Sequence, residues 1–504
     1  MRSLLVALLL LFASSAYAED ATLSATNTFT AEVRGDNQNG TEGDDDYTAV
    51  INRLTLKGVT GALSAGLRVD AFGFSPSPTP DFEDDVILER FELRFRQKPW
   101  TLVGGDFYQQ LGRGIALSMR KEDQATIDTT LQGGLVELKT REHHAAVFGG
   151  RANPANLDEI SQHFIEDTND VMAGGLYDFT QLEAFDTGVY GVFITPTEKL
   201  LGERTKQHTE GIYVDLNGLT KHAALYLEVD LQHRELLGQS CSFFEEDCSG
   251  KAAYAALDLS FGDFSVLAEG ITLEAFEQRG SRNTALNRSF EYNQPPTLER
   301  IDQEVSPMRD VQGARLKAEV TFLEQDLLFT VDGVYKEIEP DSPARVVLMH
   351  GFGGGEYSFQ EGRSRLSASS GYRQEATDKA TVKTMVHGEA DYLQWLWSKL
   401  SLHLSARHES RTLEDDPFVR GSALLGVEWT GLGSLTFEFG YDTQNPSADV
   451  ANEFYAGIAT LELMDNLSAR LVGGTQRGGL RCIAGVCRDY PAFSGVSGTL
   501  VARY

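Results

Sequence analysis

Period-two alternation, repeated along almost the whole chain, is the feature that most constrains how this sequence can fold. Leu54-Thr55-Leu56-Lys57 runs into a turn over residues 58–61 and out again through Leu63, Ala65, Leu67, Val69 and Ala71. Successive strand side chains point to opposite faces, so this pattern predicts a β-hairpin. The same unit recurs at short turns near residues 97–99, 139–142, 217–220, 262–263, 324–326, 362, 398–399, 431–433 and 464–466. So many hairpins at fairly regular spacing argue against a helical or α/β fold.

Longer connections lie between the short turns, at residues 35–46, 74–85, 110–131, 151–170, 196–207, 235–250, 278–309, 338–352, 411–418, 444–452 and 478–490. Short and long alternate almost throughout, as they do when a closed barrel collects brief turns on one rim and long loops on the other. A strand at residues 171–178, with a turn near 180–183, is needed to keep the turn at 217–220 on the short-turn rim. The count is then about 24 strands, or about 22 if the weakest segments, 171–178 and 352–360, are not strands. The expectation is an all-β chain forming a single large antiparallel transmembrane barrel of about 22 to 24 strands. Its N- and C-termini would be periplasmic, its long loops extracellular, and no separate plug domain would precede it.

Residues 1–18 read as a secretory signal peptide: Arg2, an apolar run over residues 4–12, then small residues ending Ala16-Tyr17-Ala18. The barrel would then occupy residues 19–504. Beyond the leader no apolar run is long enough for a membrane-spanning helix, and strands closed into a barrel are the other backbone-satisfied way through lipid.

The formal charge of −30 becomes −31 when Arg2 leaves with the leader (−30 minus +1). A surface this acidic argues against nucleic acid as a partner. Acidic stretches at residues 42–46, 81–85 and 245–247 read as solvated loops. The four cysteines form two close pairs, Cys241 with Cys248 and Cys482 with Cys487. In an exported chain these predict two local disulfides, and no metal site is expected from them.

Charge on one strand face marks the side that meets water, because a mid-membrane Arg or Lys on the lipid face costs about 2–4 kcal/mol. Over residues 90–96, Phe91, Leu93 and Phe95 alternate with Arg90, Glu92, Arg94 and Arg96; over 314–322, Leu316, Ala318, Val320 and Phe322 alternate with Arg315, Lys317, Glu319 and Thr321. Arg68 and Asp70, Glu228 and Asp230, Lys383 with His387, Glu389 and Asp391, and His403 with Arg407 join the same predicted lumen. Mixed signs across a lumen would create transverse fields that sort solutes by charge and orientation.

The final residues, V-S-G-T-L-V-A-R-Y, set Val496, Gly498, Leu500, Ala502 and Tyr504 against Ser497, Thr499, Val501 and Arg503. This segment resembles the closing strand of bacterial outer-membrane barrels. The resemblance implies that Leu500, Ala502 and Tyr504 form an assembly signal, and that outer-membrane lipid and the barrel-assembly machinery are partners. The glycine-bounded stretch at 104–134, containing G-D-F-Y-Q-Q-L-G-R-G, resembles a segment of uncharacterised predicted outer-membrane proteins of bacteria, which brings no activity with it.

A barrel of this size needs something to narrow it. The expectation is that residues 111–131 fold inward, placing Arg113, Arg120, Lys121, Glu122, Asp123 and Asp128 at a constriction beside Asp106 and Tyr108. Residues 151–170 and 278–309 are rival plugs. Asn153-Pro154-Ala155 resembles a short motif of fatty-acid channels, without their N-terminal hatch. The scattered histidines form no HExxH motif, there is no GxSxG, and Gly351-Phe352-Gly353-Gly354-Gly355 lacks the Lys-Ser/Thr of a phosphate loop. No cofactor and no enzymatic activity are expected. The sequence predicts an outer-membrane, porin-like channel for small hydrophilic solutes. The alternatives are a barrel acting as an anchor, assembly, export or surface-interaction protein with an unidentified envelope partner, or a soluble all-β secreted protein.

Overall fold

The computed structural model describes residues 21–38, 45–80, 82–122, 127–181, 185–197, 204–236, 248–283, 288–300, 308–378, 380–444, 452–483 and 486–504. The expected leader, Asp123 and Cys241 lie outside these residues.

Twenty-four antiparallel strands form one closed barrel. Each pairs with its neighbours in sequence. The ring closes at Thr22–Arg34, which pairs with Tyr47–Thr60 on one edge and Phe493–Arg503 on the other. Closure leaves no unpaired edge, the condition for a sheet in lipid. The strand demanded by loop parity is present as Val171–Gln181, paired with His143–Pro154 and Phe185–Thr195.

Three sequence expectations are corrected. Residues 217–220 belong to the strand Arg204–Thr220, and the turn falls at Lys221 and His222. The connection placed at 338–352 is only residues 339–345, because Val346–Phe359 is a full strand. The long connection placed at 411–418 is a two-residue turn, Glu414 and Asp415, with φ of 49° and 75°. Two consecutive positive φ values are the type I′ geometry that matches strand twist. Polar residues at strand ends carry the same composition as a loop, which is why these boundaries were hidden.

The outer wall carries bulky apolar residues in rows: Leu316 is 57% exposed, Val331 65%, Leu435 65% and Val496 59%. Exposed apolar surface wrapping a whole molecule is stable against lipid and not against water. Trp100, Phe264, Phe322, Trp397, Trp429 and Tyr504, all exposed, flank the short turns and the C-terminus as an aromatic girdle. Among the described residues no helix is long and apolar enough to cross a membrane.

The interior departs from the rule of charge inward and apolar outward. Val103, Leu131, Phe148, Met172, Val192 and Ile194 face the lumen, yet each is 5% exposed or less. They bury against Phe107 at the end of Trp100–Phe107, against Leu111, Ala116, Leu117 and Met119 from the connection that follows, and against Tyr292 from the connection after Phe264–Glu274. The barrel therefore encloses a hydrophobic core, made where loops enter the lumen.

Candidate functional site

Among the described residues, parts of three connections on the long-loop rim turn inward: 108–122, 155–170, and 275–283 with 288–300. The first does not begin and end where sequence suggested. Asp106 lies in the wall strand Trp100–Phe107 and Asp128 in Ile127–Lys139, so the inward segment is bounded by them.

At its root, predicted lumen residues come together. Arg68 binds Asp70 at 2.6 Å and Asp128 at 2.6 Å, Arg90 lies 3.5 Å from Asp128, and the Tyr108 hydroxyl donates to Asp128 at 2.8 Å. Burial, and then the Asp128 charge, push the Tyr108 phenol above its ordinary value, so it remains a donor. Asp106 accepts from the Phe91 backbone N–H, the Thr130 hydroxyl and the Asn153 amide, each at 2.8 Å. Asn153 thus serves as a strut for the loop root. Glu89, which alternation assigns to the lipid face, is buried and pairs with Arg90. A register shift opposite Arg68 and Val69 inserts one extra residue here, and such a bulge turns two consecutive side chains to the same side.

The tip of this loop is Gly112-Arg113-Gly114. Gly112 has φ of 55°, and a Cβ there would run into the Glu228 carboxylate; Gly114 has φ of 85°, and its Cβ would sit 2.8 Å from the Gln294 carbonyl oxygen. Glycine at both positions lets the tip touch the wall and a second loop at once. The Arg113 backbone N–H donates to Glu228 at 3.0 Å, and its guanidinium lies 4.3 Å from the Tyr226 ring centroid. Glu228 also accepts from Tyr190 and Tyr226, each at 2.6 Å. Arg113 itself is exposed to the lumen while residues 114–117 are buried.

The second and third loops complete one plug. Gln294 donates to the Gly114 carbonyl at 2.8 Å, and the Ser118 N–H donates to the Tyr292 carbonyl at 2.7 Å. Buried Asp170 accepts from the backbone N–H groups of Thr197 and Ser281, at 2.8 and 2.7 Å, and from the Tyr292 hydroxyl at 2.7 Å. Burial and the Asp170 charge hold the Tyr292 phenol well above its ordinary value. Farther round, Glu299 reaches Lys336 at 2.9 Å and Arg373 at 2.8 Å, with side chains 2% exposed or less. Gln162 binds Tyr47 and Glu32, each at 2.8 Å, tying residues 155–170 to the wall near the closing seam.

A plugged barrel of this size invites comparison with known proteins. No family model matches the chain, and no curated relative matches it. Solved structures do. The siderophore receptor PirA from Pseudomonas aeruginosa matches at 9% identity and TM-score 0.48, covering 96% of this chain and 80% of that one. The P pilus usher PapC translocation pore matches at 8% identity and TM-score 0.46, over 96% of this chain and 99% of that one. OccK5 (OpdH) from Pseudomonas aeruginosa matches at 12% identity and TM-score 0.41, over 72% and 95%. The neighbours are bacterial outer-membrane barrels. The resemblance of residues 104–134 to predicted outer-membrane proteins finds no counterpart in a family model.

The remaining predicted residues occupy other parts of the wall. Arg315 binds Asp332 at 2.6 Å and Glu269 at 3.3 Å, and Lys317 binds Glu319 at 2.8 Å. Arg94 binds Glu92 at 2.9 Å, while Arg96 is exposed near the short-turn rim. His387, Glu389 and Arg407 form one cluster, with Arg407 3.6 Å from Glu389. Arg120 is half-buried in the plug, where desolvation lowers its guanidinium below the ordinary value and Glu122 offsets part of that. Among the described residues no group of three or more His, Cys, Asp or Glu could hold a metal ion. Cys248 is disulfide-bonded, Cys482 and Cys487 are cross-strand partners in a loop hairpin, and no described cysteine is free.

Two charged walls face the lumen below the plug. Asp178, Asp186, Asp215 and Glu269 line one side, with Asp186 and Asp215 directly opposite each other on adjacent strands. Lys57, Arg94, Arg96, Arg470 and Arg503 line strands on either side of the closing seam. Sequence reasoning missed Glu89, Asp170, Glu299 and Lys336. Glu228 stands on the lumen face where alternation placed it, but its contact with the loop tip had no local signal.

Proposed function

We propose that this chain is an outer-membrane channel for small hydrophilic solutes, with a lumen partly closed by its own loops. One contrast carries the reading. Where the plug packs, inward side chains are almost fully buried; from Leu400–Leu413 round to Thr22–Arg34 they are mostly half-exposed and hydroxyl-rich. Ser401, Ser405, Ser422, Ser434, Thr436, Thr499, Thr26, Thr28 and Thr30 line this part. Above them Arg407, paired with Glu409 at 3.0 Å, and Arg477, paired with Asp442 at 2.6 Å, stay in reach of water, while the Arg411–Glu409 pair at 2.7 Å is buried. A hydroxyl-lined, charge-studded wall can exchange hydrogen bonds with a solute stripped of part of its water.

The acidic and basic walls on opposite parts of the lumen would orient solutes that carry both charges. In this reading the short-turn rim and both termini are periplasmic, and the inward loops enter from the cell exterior. Purified protein in a planar bilayer tests the function: discrete conductance with a reversal potential off zero in a salt gradient supports it. A silent barrel under all conditions would instead favour a membrane anchor for a partner.

A further inference from the structure

Glu228 and Asp230 stand two residues apart on the lumen face of the wall strand Ala223–Leu236, at 1% and 0% exposure. Residues so spaced point the same way from a strand, so alternation brings both carboxyl groups to one patch. The Tyr190 hydroxyl reaches that patch from Phe185–Thr195 by crossing the intervening strand Arg204–Thr220 at Gly211, which pairs with Tyr190 on one side and Asp230 on the other. A Cβ at Gly211 would strike both the Asp230 carboxyl and the Tyr190 ring, so glycine leaves room for the bridge. The phenol oxygen lies 2.6 Å from Glu228 and 2.8 Å from Asp230.

This bridge is one hydrogen short. A phenol has a single proton to donate. Glu228 receives it, together with those of the Tyr226 hydroxyl at 2.6 Å and the Arg113 backbone N–H at 3.0 Å, so three donors meet its charge. The contact between Tyr190 and Asp230 then sets lone pair against lone pair unless Asp230 supplies the hydrogen. Forking the phenol proton between both carboxylates gives no escape, because it draws two like charges together. No countercharge makes up the difference. Neither carboxyl has an ion pair among the described residues, and the second Asp230 oxygen, Oδ2, is buried without a hydrogen-bond partner. Two buried charges left so are unfavourable.

The other titratable groups around the pair do not change that count. Tyr213 and Tyr254 stand directly across from Glu228 on the two adjacent strands, and the Tyr254 hydroxyl donates to Glu269 at 2.6 Å. Asp215, opposite Tyr226, adds negative charge. Arg113 lays its guanidinium over Tyr226, 4.3 Å from the ring centroid, instead of pairing with either carboxyl. Arg234, farther along the same strand, donates to the backbone carbonyls of Ala275 and Ser249.

We propose that the Glu228–Asp230 pair is a proton-binding site in the seat of the plug, holding one proton on Asp230 while the loop tip is docked. Gly112 and the Arg113 N–H close over Glu228 and keep water from it. With the tip lifted, water reaches both groups, and both ionise at neutral pH, well above the ordinary carboxyl values of about 4. The docked state therefore holds one proton more than the lifted state. By linkage, each rise of one pH unit shifts the tip toward the lifted state by up to about tenfold. The site goes beyond the channel reading and does not depend on it.

Two measurements on the full-length protein in detergent micelles test this. The infrared spectrum of wild type minus that of Asp230→Asn, at neutral pH, should show the carbonyl band of one protonated carboxylic acid. Hydrogen exchange of residues 108–122, corrected for intrinsic rates, should lose protection as the pH rises from about 5 to about 8, by roughly tenfold or more across the range. Asp230→Asn keeps a neutral side chain that donates to the Tyr190 oxygen, so its tip should stay protected throughout. Glu228→Gln leaves a single carboxyl, for which the phenol proton suffices. It should lose the acid band and the pH response alike, and it stands in should Asp230→Asn not yield a heat-modifiable barrel. Absence of the acid band, wild-type protection that does not change with pH, or an equal pH response in the variants overturns the site. Conductance on the same proteins bears on the channel reading alone: a silent wild type contradicts that function and leaves the infrared and exchange results to judge the proton site.

Discussion

The Arg113 backbone N–H donates to the Glu228 carboxylate at 3.0 Å, fastening a loop tip to a wall strand 115 residues away in sequence. Glu228 holds that contact together with two tyrosine hydroxyls, so it is the anchor of the first inward loop. Glu228→Ala takes the acceptor from the Arg113 N–H and the Tyr226 hydroxyl, while Tyr190 keeps Asp230 at 2.8 Å; the cost is about 1–3 kcal/mol for each donor left buried. Larger and noisier single-channel currents are expected, with the barrel intact. Unchanged currents would mean that the tip does not narrow the path.

Gly112 should tolerate no side chain. Gly112→Ala combines a positive φ with a collision against the Glu228 carboxylate, and a cost of order 1–3 kcal/mol is expected for the backbone strain alone. Limited proteolysis should cut within residues 108–122 in this variant and not in the wild type.

Asp170 ties three connections together through Thr197, Ser281 and Tyr292. Asp170→Ala should loosen residues 155–170 and 275–300 together, with hydrogen exchange rising in both. Each charge-assisted bond lost is worth about 1.5–3 kcal/mol. A rise confined to one segment would show that the loops move independently.

Asp186 and Asp215 face each other across adjacent strands with no described ion pair to either. Like charges in that position repel, and their neutralisation relieves about 0.2–1 kcal/mol. The double change Asp186→Asn with Asp215→Asn should leave the fold at least as stable and shift the reversal potential toward anions. A reversal potential identical to wild type would place the ion path away from this wall.

Much of the fold was legible because period-two alternation is local: each hairpin announces itself within about twenty residues. Loop parity even located Val171–Gln181. The terminal strand also stands where its pattern placed it, with Leu500 opposite Phe29 and the Tyr504 backbone exchanging two 2.8 Å hydrogen bonds with Ala25. The interior was less legible. Gly112 and Gly114 hinted at a sharp inward tip, but Glu89 sits in a bulge that breaks the parity rule. Val103, Phe148 and Val192 face inward because loops cover them, and an apolar inner face cannot be told from a lipid face by period alone. Glu299, Lys336 and Arg373 meet only through the closed barrel, so no local spacing marks them.

The central claim, that inward loops narrow a water-filled barrel, is met most directly by comparing wild type with a chain whose residues 109–122 are replaced by a short Gly-Ser linker. Single-channel conductance in a planar bilayer is the measurement. A narrow lumen predicts a small wild-type conductance and a several-fold larger one after replacement, with both proteins heat-modifiable barrels. Equal conductance in the two, or silence in both, would contradict it.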